Sequence, residues 1–449
     1  MPKQPSSSRA FLLALILITL LGAFMRLNAT FHTTVLAPLR ADAGEYFSYA
    51  YNLRHYDVYS RQPIFQAPDQ QHTLHPDAVR SPGYSLFLLP FAGAEPTNKT
   101  VLDITLVQAL LGVMMIPLVY LLGRSVLSDG WALLPSLLVA ISPQLVVAGT
   151  YVLSEALFTF FFLLALLAVQ KQFSHPERWA WGLLAGVLLA SSALIRPTVQ
   201  YLLPMIVFFG VYAFPAKFRI KQIIALAIGF IGVFGIWLLR NYLTLGILSD
   251  STLTVSTLLH GHYPDFMYAG KPESLGYPYR FDPDAAVIGA SLGSILHEIG
   301  RLFLNEPLIY LKWYFIGKPL AFLGWGDMAS AGDIFTYPTL QSPYFGHPIF
   351  VLLMKAMRAI HWVWMVLGLV VTVLCWKINL VNRDTNQVNG LRIFSIVLLY
   401  FLAVHMVGFP IARYAVPLLP VMFILAVFAI SWITTGMGKR TNVNSLELR

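Results

Sequence analysis

AFLLALILITLLGAF, residues 10–24, carries no charge; Lys3 and Arg9 precede it and Arg26 follows it. A basic leader before a short apolar run also describes a secretory signal. Arg26 directly after the run, with no clear small-residue cleavage site, predicts instead an uncleaved first membrane helix. The same apolar texture recurs near residues 101–122, 131–149, 151–170, 179–195, 199–214, 222–239, 359–376, 393–409 and 414–434. Each run is about as long as a bilayer core requires once tilt is allowed.

Composition agrees. The chain has 449 residues, 57% of them hydrophobic and only 11% charged, with a mean hydropathy of +0.67. A soluble protein could not hide that much apolar surface, so the expected class is an all-α integral membrane protein with about 10–12 spans. The net charge of +9 would suggest nucleic acid in a soluble chain. Here the positive-inside bias and contact with anionic lipid explain it. The single cysteine, Cys375, lies in an apolar run, which excludes a disulfide framework and a cysteine-based metal site.

Loop charge orients the spans. Lys3, Arg9, Arg124, Lys171, Arg178, Lys217, Arg219, Lys221, Lys377, Arg383, Arg392, Lys439 and Arg440 fall on one side, which the charge rule makes cytoplasmic. Both termini are then inside, and two long loops are outside. This divides the chain into an N-terminal membrane module, 1–243, with a first outer loop at 31–100; a second outer loop at 244–358; and C-terminal helices at 359–449. Residues 307–323 are apolar but contain Lys312 and Lys318. A crossing there would turn Lys377, Arg383 and Arg392 outward, so an interfacial or re-entrant helix is expected. Leu292, Ile295, Leu296, Ile299, Leu302 and Phe303 repeat at helical spacing, with Ser294, His297, Glu298 and Arg301 opposite. That pattern predicts an amphipathic helix lying on the membrane.

The first outer loop holds a polar stretch, 40–89, that opens RADAGEYFSYAYNL and closes RSPGYSLFLL. Polar loops carried by a membrane core are where chemistry is expected. Tyr46, Tyr49, Ala50 and Leu53 keep a helical spacing, and a short helix should begin near Asp42. Asp42 reads structurally as its N-cap, with Glu45 completing a capping box. Rigidly held, it also suits a general base. Glu155, in YVLSEALFTFF, falls about one turn inside a helix that starts at Tyr151. It is either a first-turn dipole partner or a functional intramembrane carboxylate.

Arg80, Arg196, Arg240 and Arg413 all reach the outer boundary in this topology. One arginine at that depth ordinarily snorkels to lipid phosphate. Four beside a carboxylate-bearing loop point to a phosphate site built from bidentate guanidinium contacts. His260 and His262, and His72 and His75, are pairs without a completing carboxylate or cysteine, so no metal box is expected of them. No Gly-rich phosphate loop, Ser/His/Asp arrangement or nucleic-acid module is present.

Taken in order, these motifs resemble the polytopic glycosyltransferases of the C-type fold that use polyprenyl-phosphate sugars. More narrowly, they are similar to the bacterial family akin to protein mannosyltransferases and aminoarabinose transferases. The resemblance rests on D-x-x-x-Y-x-x-x-A at Asp42, Tyr46 and Ala50; R-x-P-G-Y from Arg80 to Tyr84; and L-S-E-x-L-F from Leu153 to Phe158. It continues in L-I-R-P from Leu194 to Pro197, W-x-x-R-N from Trp237 to Asn241, and R-Y-x-x-P-x-x-P from Arg413 to Pro420. It implies sugar transfer from a polyprenyl-phosphate carrier to a glycan, glycolipid or protein acceptor on the periplasmic face of a bacterial inner membrane. Asp42 would be the first-loop catalytic acid and Glu155 the second-site acid. The four arginines would bind phosphate, and Glu45, Tyr46, Tyr84, Asn241 and Tyr414 would bind substrate. Relatives often carry two adjacent acids in the first loop, whereas here Ala43 follows Asp42. That departure weakens a role for Mg2+ or Mn2+, the divalent cations the resemblance leaves open. A transporter or flippase of the same lipid-linked sugar is the alternative. It should show paired half-repeats and broken helices with polar groups at the bilayer centre. The polar residues here gather at one face.

Overall fold

The computed structural model describes residues 5–66, 73–93, 96–326, 331–377 and 385–444. Lys3, His72 and Arg383 lie outside the described residues. Each predicted apolar span is largely helical, the one at 131–149 as two helices, and the chain is a multi-pass helical membrane protein. Fewer of the helices than expected are full-length spans. Among the described residues six helices are long and apolar enough to cross alone, and the pair Pro348–Ala359 and His361–Lys377, bent by 44°, brings the number to seven if it is counted as one span. Asp129–Ile141, Trp179–Ile195 and Pro197–Ala213 are shorter apolar helices.

The shortening has local causes. The run at 131–149 is broken at Ser142, whose hydroxyl caps the next helix, Pro143–Ala148. Proline at the first helical position removes the donor that would have continued the earlier ladder. The carbonyls this leaves at the end of Asp129–Ile141 are met by Arg26. Its guanidinium donates to Val139 O at 2.9 Å and to Ala140 O at 3.0 Å. The cation after the first apolar run is thus a buried plug for a broken helix. Pro197 likewise stands two residues beyond the end of Trp179–Ile195 and leaves Arg196 between them in extended backbone.

Helix packing relies on small residues, as expected where lipid gives no hydrophobic drive for helices to associate. A Cβ on Gly186 would stand 2.1 Å from Leu226 O, and one on Gly229 would stand 2.2 Å from Leu183 O. Trp179–Ile195 and Ala216–Leu245 therefore touch backbone to backbone. Ala216–Leu245 is longer than expected. Arg240 and Asn241 lie within it rather than at its end.

The loops between the spans are built of short helices and one small ladder. Thr34–Val35 pairs antiparallel with Thr339–Gln341, stitching the two long loops together. Residues 307–322 form a helix interrupted by a π-turn at Trp313–Gly317. Leu292–Asn305 is helical, as its spacing predicted, and buries only Ile295 while Leu296 and Leu304 stay exposed.

Candidate active site

Five chain segments converge at one end of the bundle. Ala41–Tyr56 brings Asp42 and Glu45, and the turn before Gly83–Leu88 brings Arg80. The start of Glu155–Ser174 brings Glu155, the end of Trp179–Ile195 brings Arg196, and the turn Ala412–Leu418 brings Arg413.

Gly83 explains part of the convergence. A Cβ there would lie 2.7 Å from Leu194 O and from Ile195 N. Only glycine lets the Arg80 turn rest on the helix end that carries Arg196. Gln108 supplies another tie. Its side-chain amide donates to Tyr151 O at 2.7 Å and accepts from the Tyr84 hydroxyl at 2.7 Å. The first loop and the turn before Glu155 are thereby pinned to Asn98–Gly123.

Asp42 is not the N-cap. Arg40 holds that position without a side-chain bond, and Asp42 lies in the first turn. Its carboxylate is spent on arginines instead. Oδ1 accepts from Arg80 Nη2 at 2.7 Å and Oδ2 from Arg413 Nη2 at 2.8 Å. Glu45 Oε2 accepts from Arg80 Nε at 2.8 Å, so Arg80 bridges the two acids and no capping box forms. Burial pushes the Asp42 carboxyl up, but the Arg80 and Arg413 charges outweigh it and hold the group well below the usual carboxylate range.

Glu155 also differs from expectation. The helix begins at Glu155 itself, and Tyr151 belongs to the preceding turn. Its side chain is 3% exposed and stands 3.2 Å from both Arg196 Nη1 and Arg413 Nε. These are ion pairs without hydrogen-bond geometry. Both Glu155 oxygens, Arg196 Nη1 and Arg413 Nε are buried and find no hydrogen-bond partner in the protein. Unused polar capacity of that kind is rare in interiors and marks a place where a ligand or water completes the network.

Aromatic faces hold the cations. Arg80 lies over Tyr46 at 5.0 Å, and Arg196 and Arg413 lie over Tyr414 at 4.9 and 5.3 Å. Tyr84 packs edge-on against Tyr46. Of the candidate residues, Asp42, Glu45, Tyr46, Arg80, Tyr84, Glu155, Arg196, Arg413 and Tyr414 therefore form one constellation. Arg240 and Asn241 stand apart. Arg240 donates to Asp77 O at 2.8 Å and lies over Tyr59 and Trp237, while Asn241 donates to Leu248 O at 3.2 Å.

Two further residues complete the enclosure. The Tyr337 hydroxyl accepts from Ala43 N at 3.4 Å, and Tyr151 meets Thr339 Oγ1 at 2.8 Å. Tyr337 sits in a turn-rich part of the second loop, and nothing in its local spacing signals the contact. Beside Glu155 and Arg413 a hollow of about 30 Å³ remains, roofed by Trp325 and residues 333–336. In this state it has room for about one water. Among the described residues no group of three His, Cys, Asp or Glu side chains is placed to hold a metal ion. The acids that would be candidates are engaged by guanidinium groups, so the arrangement as it stands does not fit a metal.

Comparison with known proteins adds the fold's relatives. A sequence profile described as dolichyl-phosphate-mannose-protein mannosyltransferase matches residues 93–238, a segment that contains Glu155 and Arg196. No curated protein sequence matches the chain. Among solved structures it is similar to the Archaeoglobus fulgidus oligosaccharyltransferase AglB in complex with an inhibitory peptide and a dolichol-phosphate. Identity there is 14% and the TM-score 0.54, over 99% of this chain and 52% of that one. It is also similar to the same organism's oligosaccharyltransferase tethered to an acceptor peptide containing the NVT sequon. Identity is 18% and the TM-score 0.51, over 95% of this chain and 50% of that one. The chain thus spans about half the length of the solved relatives it matches. It is a polytopic membrane protein with the C-type glycosyltransferase fold, and its residues 93–238 match the dolichyl-phosphate-mannose-protein mannosyltransferase family.

Proposed function

We propose that this protein is a membrane glycosyltransferase that moves a sugar from a polyprenyl-phosphate carrier to an acceptor by a single inverting displacement. The observation that carries the reading is the buried, unsatisfied set of Glu155, Arg196 Nη1 and Arg413 Nε beside a fully engaged Asp42. Donors with spare capacity at the mouth of an apolar bundle suit a phosphate that arrives on a lipid tail.

The acceptor oxygen attacks the anomeric carbon as the bond from that carbon to the carrier phosphate breaks. The phosphate leaves with the electron pair. Arg80, Arg196 and Arg413 stabilise the charge building on it. As Arg413 turns toward the phosphate, Asp42 Oδ2 is released to take the acceptor proton. Glu155 holds Arg196 and Arg413 in place between turnovers. Asp42 and Glu45 are the pair that would have to give up Arg80 if Mg2+ or Mn2+ takes part. For a sugar to enter, the roof at Trp325 and 333–336 must lift away from Glu155.

An apolar groove of about 830 Å³ supports a lipid-linked donor. It runs between Leu202–Ala213 and Thr385–Val407, with Phe208, Ile396 and Leu399 among its lining. Tyr400 in its wall donates to Thr198 O, two residues from Arg196. A prenyl chain lying there would be held by apolar burial with its phosphate end near the arginines. The charge pattern of the loops supports a site on the periplasmic face of a bacterial inner membrane with both termini cytoplasmic.

The test is transfer by purified protein in nanodiscs, with radiolabelled polyprenyl-phosphate hexoses and pentoses as donors and host glycolipids, glycans or peptides as acceptors. Transfer that Asp42→Asn abolishes while carrier binding persists is the expected result, and loss on chelation would add a metal. Carrier that binds and crosses the bilayer without turnover would replace this reading with a flippase.

A further inference from the structure

The second outer loop contains a hollow that the transfer chemistry does not use. It measures about 390 Å³, and Ser251, Thr252, Ser256, His260, Tyr279 and Ser291 are among the residues lining it. That volume falls within the range of small-molecule sites. Hydroxyl groups share the wall with the apolar Val255 and Leu259, and each hydroxyl can both donate and accept. Tyr279 adds an aromatic face, set edge-on to the His260 ring at 4.7 Å.

His260 has a defined tautomer. Its Nε2 lies 2.9 Å from Gly276 O, a carbonyl that only accepts, so Nε2 carries the proton. Burial lowers the His260 pKa and the Arg280 charge adds to this against the Gly276 hydrogen bond, so the ring is neutral at pH 7. Nδ1 is then a neutral acceptor. Hydroxyls and a neutral imidazole set among apolar side chains and a tyrosine face, with no charged group in the lining, are matched to a polyol and not to an ion. Sugars present hydroxyl edges to the former groups and C–H faces to the ring.

The hollow is also coupled to the reacting end of the bundle. His260 stacks on Phe409 at 4.3 Å, and Phe409 stands 6.2 Å from Tyr414, the ring beneath Arg196 and Arg413. Gly261 lies so close to Gly408 that a Cβ would stand 2.1 Å from its carbonyl oxygen. The helix Thr252–Gly261 is thereby seated directly on the turn that leads to Arg413.

We infer that this hollow is a carbohydrate subsite that holds a neutral sugar unit of the acceptor, so that the acceptor is a glycan or glycolipid. The inference rests on the glycosyltransferase reading for the word acceptor, and on the lining alone for the word carbohydrate.

Binding can be tested apart from transfer. The probes are methyl glycosides of glucose, mannose and galactose, read by saturation-transfer NMR on the full chain in nanodiscs free of glycoside detergent. At least one should bind wild type saturably. Tyr279→Ala should weaken it about tenfold, the order expected for losing an aromatic face. Tyr279→Ala also removes packing against His260. Ser256→Trp is therefore the second variant, because Ser256 is exposed and the indole fills the hollow without removing a buried contact. Lys99→Ala, an exposed substitution outside the lining of the hollow, should bind as wild type does. Loss in both hollow variants with retention in Lys99→Ala supports the subsite even if no transfer is found, in which case the function above fails alone. Transfer without glycoside binding, or binding unchanged in Tyr279→Ala and Ser256→Trp, overturns the subsite and leaves the function standing.

Discussion

Asp42 and Arg413, 371 positions apart in the chain, meet through Oδ2 and Nη2 at 2.8 Å. The same guanidinium reaches Glu155 through Nε at 3.2 Å. Arg413 therefore joins the first-loop acid to the buried Glu155, and the proposed mechanism has it release Asp42 as it turns to the phosphate. Asp42→Asn keeps the shape and removes the charge. Loss of a general base typically costs about 10²–10⁴-fold in rate. Transfer should fall within that range while carrier binding changes by less than about threefold. A variant that transfers at the wild-type rate would remove Asp42 from the chemistry.

Glu155→Gln should behave differently. It leaves Arg196 and Arg413 buried with one carboxylate fewer, and breaking a buried pair costs about 3–5 kcal/mol. The melting temperature should drop. Added polyprenyl phosphate should raise it more than in wild type, because the two guanidinium groups regain an anion. Equal stabilisation of both proteins would place the phosphate elsewhere.

The pH dependence follows from the direction of the Asp42 shift. Its folded pKa lies below its unfolded value, since Arg80 and Arg413 outweigh burial. The stability it contributes is fully present above the unfolded carboxyl pKa and is lost as pH falls through the folded one. The difference in melting temperature between wild type and Asp42→Asn should therefore stay constant from about pH 8 to 5 and shrink below about pH 4. A difference that changes between pH 6 and 8 would mean Asp42 is not held by its arginines.

Much of this was readable from residue order. Apolar runs gave the spans, since lipid demands length and hydropathy whatever the packing. The shared helix-end positions expected for Arg80, Arg196 and Arg413 gave most of the cluster. The breaks were harder to read. Ser142-Pro143 sits in an unbroken apolar run, and the carbonyls it frees are met by Arg26, more than a hundred residues away. The Asp42 cap failed because a local pattern, acid plus acid three residues on, competed with two distant guanidinium groups. Charge-assisted bonds to both oxygens are stronger than one bond to a backbone N–H. Tyr337 was invisible, because the strands beside it have two and three residues, too short for alternation to register.

Gly83 offers a test of placement without touching a charged group. Any Cβ at this position meets Leu194 O and Ile195 N at 2.7 Å, both backbone atoms that cannot swing aside. Gly83→Ala should push the Arg80 turn away from the helix end that carries Arg196. Displacement of a catalytic group by about 1 Å can cost about 10²-fold. A loss of tenfold or more in kcat with near-native helix content by circular dichroism is expected. Full activity would show that the Arg80 turn and the Arg196 helix end need not be in register.

Arg240 and Arg196 separate the geometry from the sequence pattern, which treats them alike. Arg196 lies over Tyr414 and beside Glu155, with a buried Nη1 that finds no hydrogen-bond partner. Arg240 instead donates to Asp77 O, and the Asp77 carboxylate accepts from Tyr49 and from Arg61 N. Its guanidinium holds the first loop against Ala216–Leu245 without facing the unsatisfied set. Arg196→Ala should therefore lower kcat/KM by about 10²-fold or more, the scale of losing a charge-stabilising donor. Arg240→Ala should lower it less than about tenfold while reducing the melting temperature, since two backbone acceptors in the first loop lose their donor. If the two variants lose activity equally and Arg240→Ala melts like wild type, then Arg240 binds phosphate directly. The site would then extend across Tyr59 to the 216–245 helix.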